Sequence, residues 1–223
     1  MMKNPIDERR SVRAFRPDPI PESILTSILK AGMQAPSPKN RQPWKFVVVK
    51  GAAKAGMLSA MARGIDRTEA GMGLISPDIA YAGDEAFNRR QAGDSMGRDS
   101  VFKGYIGDAR YTLRIMEAAP VTVFVVNPYG RSPRSEWSAQ DKLNELSNVQ
   151  AIGAAAENMA LAATELGIGS LWNGNISFAY DELMDWLSLP GEMVLAMSFG
   201  YAASQSSRRM GRKSWEECVI VKG

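Results

Sequence analysis

The apolar positions of this chain recur with two different periods, and the changes between them mark out its elements. From Pro21 to Ala35, Ile24, Leu25, Ile28, Leu29 and Met33 fall on one face at helical spacing, with Pro21 suited to the first turn. Phe46, Val47, Val48 and Val49, stopped by Gly51, predict a short buried strand over Lys45 to Lys50. Ala52 to Arg63 predicts a second helix and Arg110 to Ala118 a third. In Pro120 to Asn127 both faces are apolar (Val121, Val123, Phe124, Val125, Val126), so this strand is expected at the centre of a sheet. Tyr129 to Gln140 reads as a loop. Asp141 to Leu166 predicts one long helix, or two in series, with the stripe Val149, Ile152, Ala156, Met159, Ala163 and Leu166, ended by Gly167 and Gly169. Alanines at 151, 154, 155, 156, 160, 162 and 163 would let another helix approach it closely, although simple core packing explains them too. A short helix over Tyr180 to Leu187, a strand over Met193 to Phe199 and a last strand over Cys218 to Lys222 complete the series.

Two stretches resist this reading. Ala35 to Pro43 is rich in Pro, Ser and Asn and is expected to be an irregular loop. Residues 64 to 107 are polar and glycine-rich without clear periodicity; partial helix is expected there, in a variable, mobile region over or near a site. With no internal repeat and no linker, the alternation of strands and helices predicts a single α/β or α+β domain over residues 1–223.

Composition narrows the chemistry. The chain has 223 residues, 45% hydrophobic and 23% charged, as in ordinary globular proteins. No apolar run approaches the ~20 residues needed to span a bilayer. The first ten residues are polar with no signal-peptide core, so a cytoplasmic protein is expected. The single cysteine, Cys218, cannot form an intrachain disulfide and is expected to be a small buried hydrophobe. Thirteen methionines are read as core filling. There is no histidine, which excludes histidine-dependent triads and imidazole metal sites; with one cysteine, thiolate clusters are excluded as well. A cofactor is therefore expected to carry any redox or group-transfer chemistry. The net charge is +3, with arginines grouped at both ends of the chain. Small anionic ligands account for that grouping as well as a polyanion would. A nucleic-acid binder would more typically show one concentrated basic patch with interleaved aromatics.

Four segments concentrate candidate ligand groups. Arg9-Arg10-Ser11-Val12-Arg13-Ala14-Phe15 reads either as a phosphate-binding set or as a solvated basic N-terminus. Pro36, Ser37, Asn40 and Gln42 stand on a proline-stiffened loop and could hydrogen-bond the edge of a planar heterocycle, or simply connect helix to strand. Leu166 to Asn175, with Gly167, Gly169 and Gly174, allows close backbone approach to a ligand or forms a plain cap and turn. It is not a dinucleotide fingerprint, since its Gly-x-Gly follows a helix and lacks a third glycine. The fourth segment, Ser207 to Glu217, is a basic cluster with an aromatic.

In this order the four segments resemble the nitroreductase superfamily of flavoproteins. The resemblance rests on Arg9 to Phe15, on Ala-Pro-Ser-x-x-Asn-x-Gln-Pro-Trp at Ala35 to Trp44, on Leu-Gly-x-Gly at Leu166 to Gly169 with Trp172 following, and on Gly200-Tyr201 followed by Arg212 to Val221. It implies an α+β fold with a central mixed, mainly antiparallel sheet flanked by helices, in an intertwined homodimer with two flavin mononucleotide sites at the subunit interface. By position it implies that Arg9, Ser11 and Arg13 bind the flavin, with Arg10 beside them, Arg9 at the phosphate and Arg13 at the pyrimidine end. Pro36, Ser37, Asn40 and Gln42 would come from the other subunit. Trp172, Asn173 and Gly174 would line one side of the ring. Arg212, with Lys213 or Arg209 as alternatives, would return to the phosphate. The implied activity is electron transfer from NADH or NADPH through the flavin to an electron-poor small molecule, such as a nitroaromatic or quinone, by ping-pong turnover. The flavin, with electrostatic support from Arg13, would do the work of a catalytic side chain, with no metal, nucleic acid or membrane involved. Other flavin reactions within the superfamily (flavin fragmentation, dehalogenation, ring oxidation) and a non-catalytic flavin-binding protein are the alternatives. Residues 64–107 and Trp172-Asn173-Gly174-Asn175 depart from the usual pattern, which leaves the substrate open.

Overall fold

The computed structural model describes residues 4–76, 98–204 and 211–222. The helices are α1 (Pro5–Glu8), α2 (Glu22–Met33), α3 (Ala53–Glu69), α4 (Arg98–Ala118), α5 (Ala139–Glu165), α6 (Tyr180–Leu187) and α7 (Trp215–Cys218), and the strands are β1 (Lys45–Lys50), β2 (Val121–Asn127), β3 (Gly169–Asn173) and β4 (Glu192–Gly200). The strands form one sheet in the order β1-β2-β4-β3, every neighbouring pair antiparallel.

The doubly apolar pattern of β2 has the expected cause: all seven of its residues are buried, because the sheet is covered on both faces. On one face Val121, Val123 and Val125 pack with Leu25 and Ile28 of α2 and with Ile152, Ala156, Met159 and Ala163 of α5. On the other, Phe124 and Val126 pack with Met57, Met61 and Ile65 of α3, Met116 of α4 and Leu183 of α6. The α2 face is as predicted for Leu25 and Ile28, but Met33 at its end is 53% exposed. The long helix is a single element, opened by a reciprocal capping box between Ser138 and Asp141.

Four expectations are corrected. The second helix does not stop at Arg63 but runs to Glu69. Gly64 looked like a break, yet it is a point of close packing: a Cβ there would lie 2.5 Å from the Cα of Ala179. Similarly, the third helix begins at Arg98, twelve residues before Arg110, and Arg110 donates to Asp66 and Glu69 of α3. Both ends of the aperiodic 64–107 stretch are thus helical, and residues 77–97 lie outside the described residues. Thirdly, Gly169 to Asn173, read as part of a glycine turn, is an edge strand. Gly167, at φ +75°, ends the helix, and the chain then extends alongside β4. Lastly, Cys218 to Lys222 is not a strand. Trp215–Cys218 is one helical turn held by a Ser214–Glu217 capping box, and among the described residues no strand runs beside Val219 to Val221. Cys218 is exposed rather than buried for the same reason.

No helix among the described residues is long and apolar enough to cross a membrane.

Candidate active site

The N-terminal strap leaves α1 at Arg9 and runs along the open edge of β3. Val12 N–H donates to Ser170 O at 2.9 Å, and Ser11 faces Ser170 in a parallel bridge. Further on, Arg16 N–H donates to Tyr201 O at 2.8 Å and Phe15 is buried. Alternation along this extended segment turns Val12 inward against Gly169, where a Cβ would lie 2.7 Å from Val12 Cγ2. Gly169 therefore sets how closely the strap approaches the sheet.

The three arginines of the strap differ in employment. Arg10 is folded back, its Nη1 donating to Asp7 O at 2.6 Å and Arg9 O at 2.7 Å, where it caps α1. Arg9 has Nε 3.4 Å from Glu157 Oε1 on α5, a half-exposed pair worth at most about 1 kcal/mol. Arg13 is exposed, and among the described residues its one hydrogen bond is a 3.4 Å contact to Ser11 O. Arg9 and Arg13 thus keep most of their donors for a ligand.

The second set stands on the loop between α2 and β1. Lys39, Asn40 and Gln42 all have positive φ, at 53°, 53° and 50°. Three departures of this kind within four non-glycine residues store strain of about 1 kcal/mol or more each, which surrounding contacts must hold. Here those contacts are local: Gln42 N–H donates to Ser37 Oγ at 2.9 Å, Gln42 Nε2 donates to Asn40 Oδ1 at 3.2 Å, and Asn40 N–H donates to Ser37 O at 3.0 Å. The result is a rigid, solvent-facing display of Pro36, Asn40 and Gln42 with Ser37 beneath. The region was expected to be irregular; it contains one 3-10 turn, Pro38–Asn40.

The third set lies at the end of β3. Trp172 is 42% exposed although it sits within a strand. Asn173 turns the other way and is buried, its Nδ2 donating to Ser198 Oγ at 2.8 Å while its Oδ1 has no partner. Its side chain therefore belongs to the interior, and any ligand contact at this position falls to the main chain. Gly174 is exposed and opens a 3-10 turn. In the tail, Arg212 and Lys213 are exposed just ahead of α7, and Arg209 lies outside the described residues.

Strap and Trp172 share the β3 edge of the sheet, whereas the 36–42 loop leads into β1, the opposite edge. Three strand spacings separate these edges, roughly 14 Å.

Sequence reasoning missed a further feature beside this loop. The Arg41 guanidinium sits 5.5 Å from the ring centroid of Tyr129. Together with Arg131 and Trp137 these residues flank a shallow, solvent-open cleft of about 70 Å³, lined also by Asp141 and Asn144 and floored by Glu145 and Asn148. The only sequence signal was a Tyr, an Arg and a Trp spaced along an otherwise polar loop.

Residues 6–201 match the Nitroreductase family, and the chain belongs to that family. Among its curated relatives, the nitroreductase NfnB of Mycolicibacterium smegmatis is 29% identical over 206 residues, covering 88% of this chain and 81% of that one. The crystal structure of the FMN-dependent nitroreductase NfnB from Mycobacterium smegmatis in complex with NADPH has the same fold, with a TM-score of 0.70 at 24% identity over 99% of this chain and 97% of that one. A BluB-like flavoprotein from Clostridium difficile 630 is equally similar in fold, with a TM-score of 0.70 at 24% identity over 100% and 99% of the two chains.

Proposed function

We propose that this protein is a flavin mononucleotide-dependent oxidoreductase that takes electrons from NADH or NADPH and delivers them to an electron-poor small molecule, a nitroaromatic or a quinone, and that it works as a homodimer. The carrying observation is the strained, rigid loop at Ser37 to Gln42, which displays amide and hydroxyl groups suited to the polar edge of a flat heterocycle. The donor set fits a flavin mononucleotide in chemical type: guanidinium groups for a phosphate with an exposed indole on the same sheet edge, and loop amides for a ring edge.

Arg9 binds the phosphate and Ser11 the ribityl side. Arg13 puts positive charge near the pyrimidine end of the ring, where negative charge develops on reduction. Pro36, Ser37, Asn40 and Gln42 are supplied by a second copy. Trp172, the main chain at Asn173 and Gly174 line one side of the ring, and Arg212, Lys213 or Arg209 returns to the phosphate. Flavin mononucleotide, when bound, supplies the two-electron exchange between donor and acceptor. Donor and acceptor take turns in one pocket, so turnover is ping-pong.

Three observations support the second copy. The strap and the loop stand at opposite edges of the sheet within one chain. The helix α5 leaves Leu143 and Leu146 60% and 53% exposed, and a Cβ at Gly153 on the same helix would meet nothing. Trp215, Ile220 and Val221 of the tail are 69%, 86% and 82% exposed, an apolar group left uncovered among the described residues.

Purified protein is expected to be yellow or to take up added flavin mononucleotide stoichiometrically, and to oxidise NADH or NADPH when a nitroaromatic or quinone is supplied. Colourless protein that takes up no flavin would sink the proposal. Flavin uptake without nicotinamide oxidation, whatever the acceptor, would point to one of the other flavin reactions or to a non-catalytic flavin-binding protein.

A further inference from the structure

The cleft beside Arg41 is used by none of the residues assigned to the flavin, yet its walls are built and held. Arg131 Nη1 donates to Asp141 Oδ2 at 2.7 Å, and Asp141 Oδ2 in turn accepts from Ser138 N–H at 3.1 Å and Ser138 Oγ at 2.8 Å. Trp137 Nε1 donates to Ser132 O at 3.1 Å. Glu145 Oε2 accepts from Asn127 Nδ2 at 2.8 Å. Asn148, at the floor, is 3% exposed. The Arg41 guanidinium carbon lies over the Tyr129 ring at 5.5 Å from its centroid, a contact that uses none of its N–H donors in a hydrogen bond.

The arrangement is two aromatic walls, two guanidiniums at the exposed rim (Arg131 paired with Asp141, Arg41 over Tyr129), and carboxylate and amide acceptors below. A small apolar acceptor would leave most of these polar groups unpaired. A metal cation would meet two positive charges at the mouth. A nucleotide matches all three features: a flat base against the aromatic side chains, its amino and ribose hydroxyl donors toward Glu145 and Asn148, and a phosphate against guanidinium edges.

We infer that this cleft binds the adenosine phosphate end of the reduced nicotinamide dinucleotide, and that Arg41 and Arg131 favour the form carrying a 2′-phosphate. The inference rests on the reading that the protein takes electrons from NADH or NADPH. Arg41 stands in the same 36–42 loop as Ser37, Asn40 and Gln42, which links this cleft to the flavin set.

The test is isothermal titration of the full chain with adenosine 2′,5′-bisphosphate and with adenosine 5′-monophosphate. The bisphosphate is expected to bind more tightly. Arg41→Gln weakens it by about tenfold or more, as expected for losing a charge-assisted phosphate contact, and Tyr129→Leu weakens both ligands. In the flavin-loaded enzyme, Arg41→Gln raises KM for NADPH more than KM for NADH. The inference is overturned if the wild-type chain binds neither adenosine probe. It is equally overturned if both variants, with melting temperatures unchanged, bind them like wild type, or if KM for NADPH is unmoved in Arg41→Gln. Failure of the underlying reading is separate, appearing as absence of flavin uptake, whereas the titration reads the cleft itself.

Discussion

Gly169→Ala probes the junction on which the proposed site depends. The new methyl group would lie 2.7, 2.9 and 3.0 Å from three side-chain carbons of Val12. Ordinary carbon–carbon contacts need about 3.5 Å or more, so the strap must retreat from β3 by roughly 1 Å. Overpacking of this kind costs about 1–3 kcal/mol. The hydrogen bond from Val12 N–H to Ser170 O, 2.9 Å long, is weakened in the same movement, adding up to about 1 kcal/mol. Loss of backbone freedom in the unfolded chain returns about 0.4–1 kcal/mol. The net expectation is a destabilisation of about 1–3 kcal/mol on these figures, together with a weaker grip on flavin, because Ser11 and Arg13 move with Val12. Urea unfolding gives the first quantity and flavin fluorescence titration the second. The double variant Gly169→Ala with Val12→Gly, which removes all three of those carbons, makes room for the methyl group. It should recover most of the flavin affinity and show a favourable coupling energy of about 1 kcal/mol or more in a double-mutant cycle. If Gly169→Ala unfolds and binds flavin like wild type, or the two substitutions are simply additive, the close approach of strap to strand does not set the site.

Arg9→Ala should weaken flavin mononucleotide binding by about 1.5–3 kcal/mol, the range for a charged hydrogen bond, while changing the unfolding free energy by less than about 1 kcal/mol, because its pair with Glu157 is half-exposed. Fluorescence titration and urea unfolding of one preparation separate the two effects. Glu192 is half-buried, but its Oε2 is shut off from solvent without a donor, and burial, then the Glu145 charge, push its carboxyl above the usual carboxylate range. A carboxyl raised in the folded state contributes stability at low pH that is lost as pH rises through the raised value. Glu192→Gln should therefore melt higher than wild type at neutral pH and lose that advantage in acid, in melting curves from about pH 4 to 8. Gly64→Ala gains about 1 kcal/mol of helix propensity but drives a methyl group to 2.5 Å from Ala179 Cα. Net destabilisation by calorimetry is expected, and a stabilised variant would contradict the packing described.

The residues carrying the site were legible because chemistry imposes composition. Strap arginines, loop amides and the indole after the glycines stand out against an apolar background whatever their contacts. What each does with its donors was not legible. Arg10 and Arg13 look alike in sequence, yet Arg10 closes α1 and Arg13 is exposed. Trp172 and Asn173 are adjacent, and strand alternation sends one outward and the other to Ser198. The cleft at Arg41 needed segments from three parts of the chain to meet, which no local pattern encodes.

By itself the sequence determined which segments are buried and with what period: β2 as a doubly covered central strand, α2 and α5 as helices with apolar stripes, and a chain without histidine that must borrow its chemistry. These depend on each residue's own preference for water or for a packed interior. Tertiary structure alone decided the points where a glycine's meaning depends on its neighbour. Gly64 sits inside a helix because Ala179 presses against it, and Gly169 lies in an edge strand because Val12 does. Val219 to Val221, strand-like in composition, form no strand because pairing needs a partner edge, and the described residues of their own chain place none beside them.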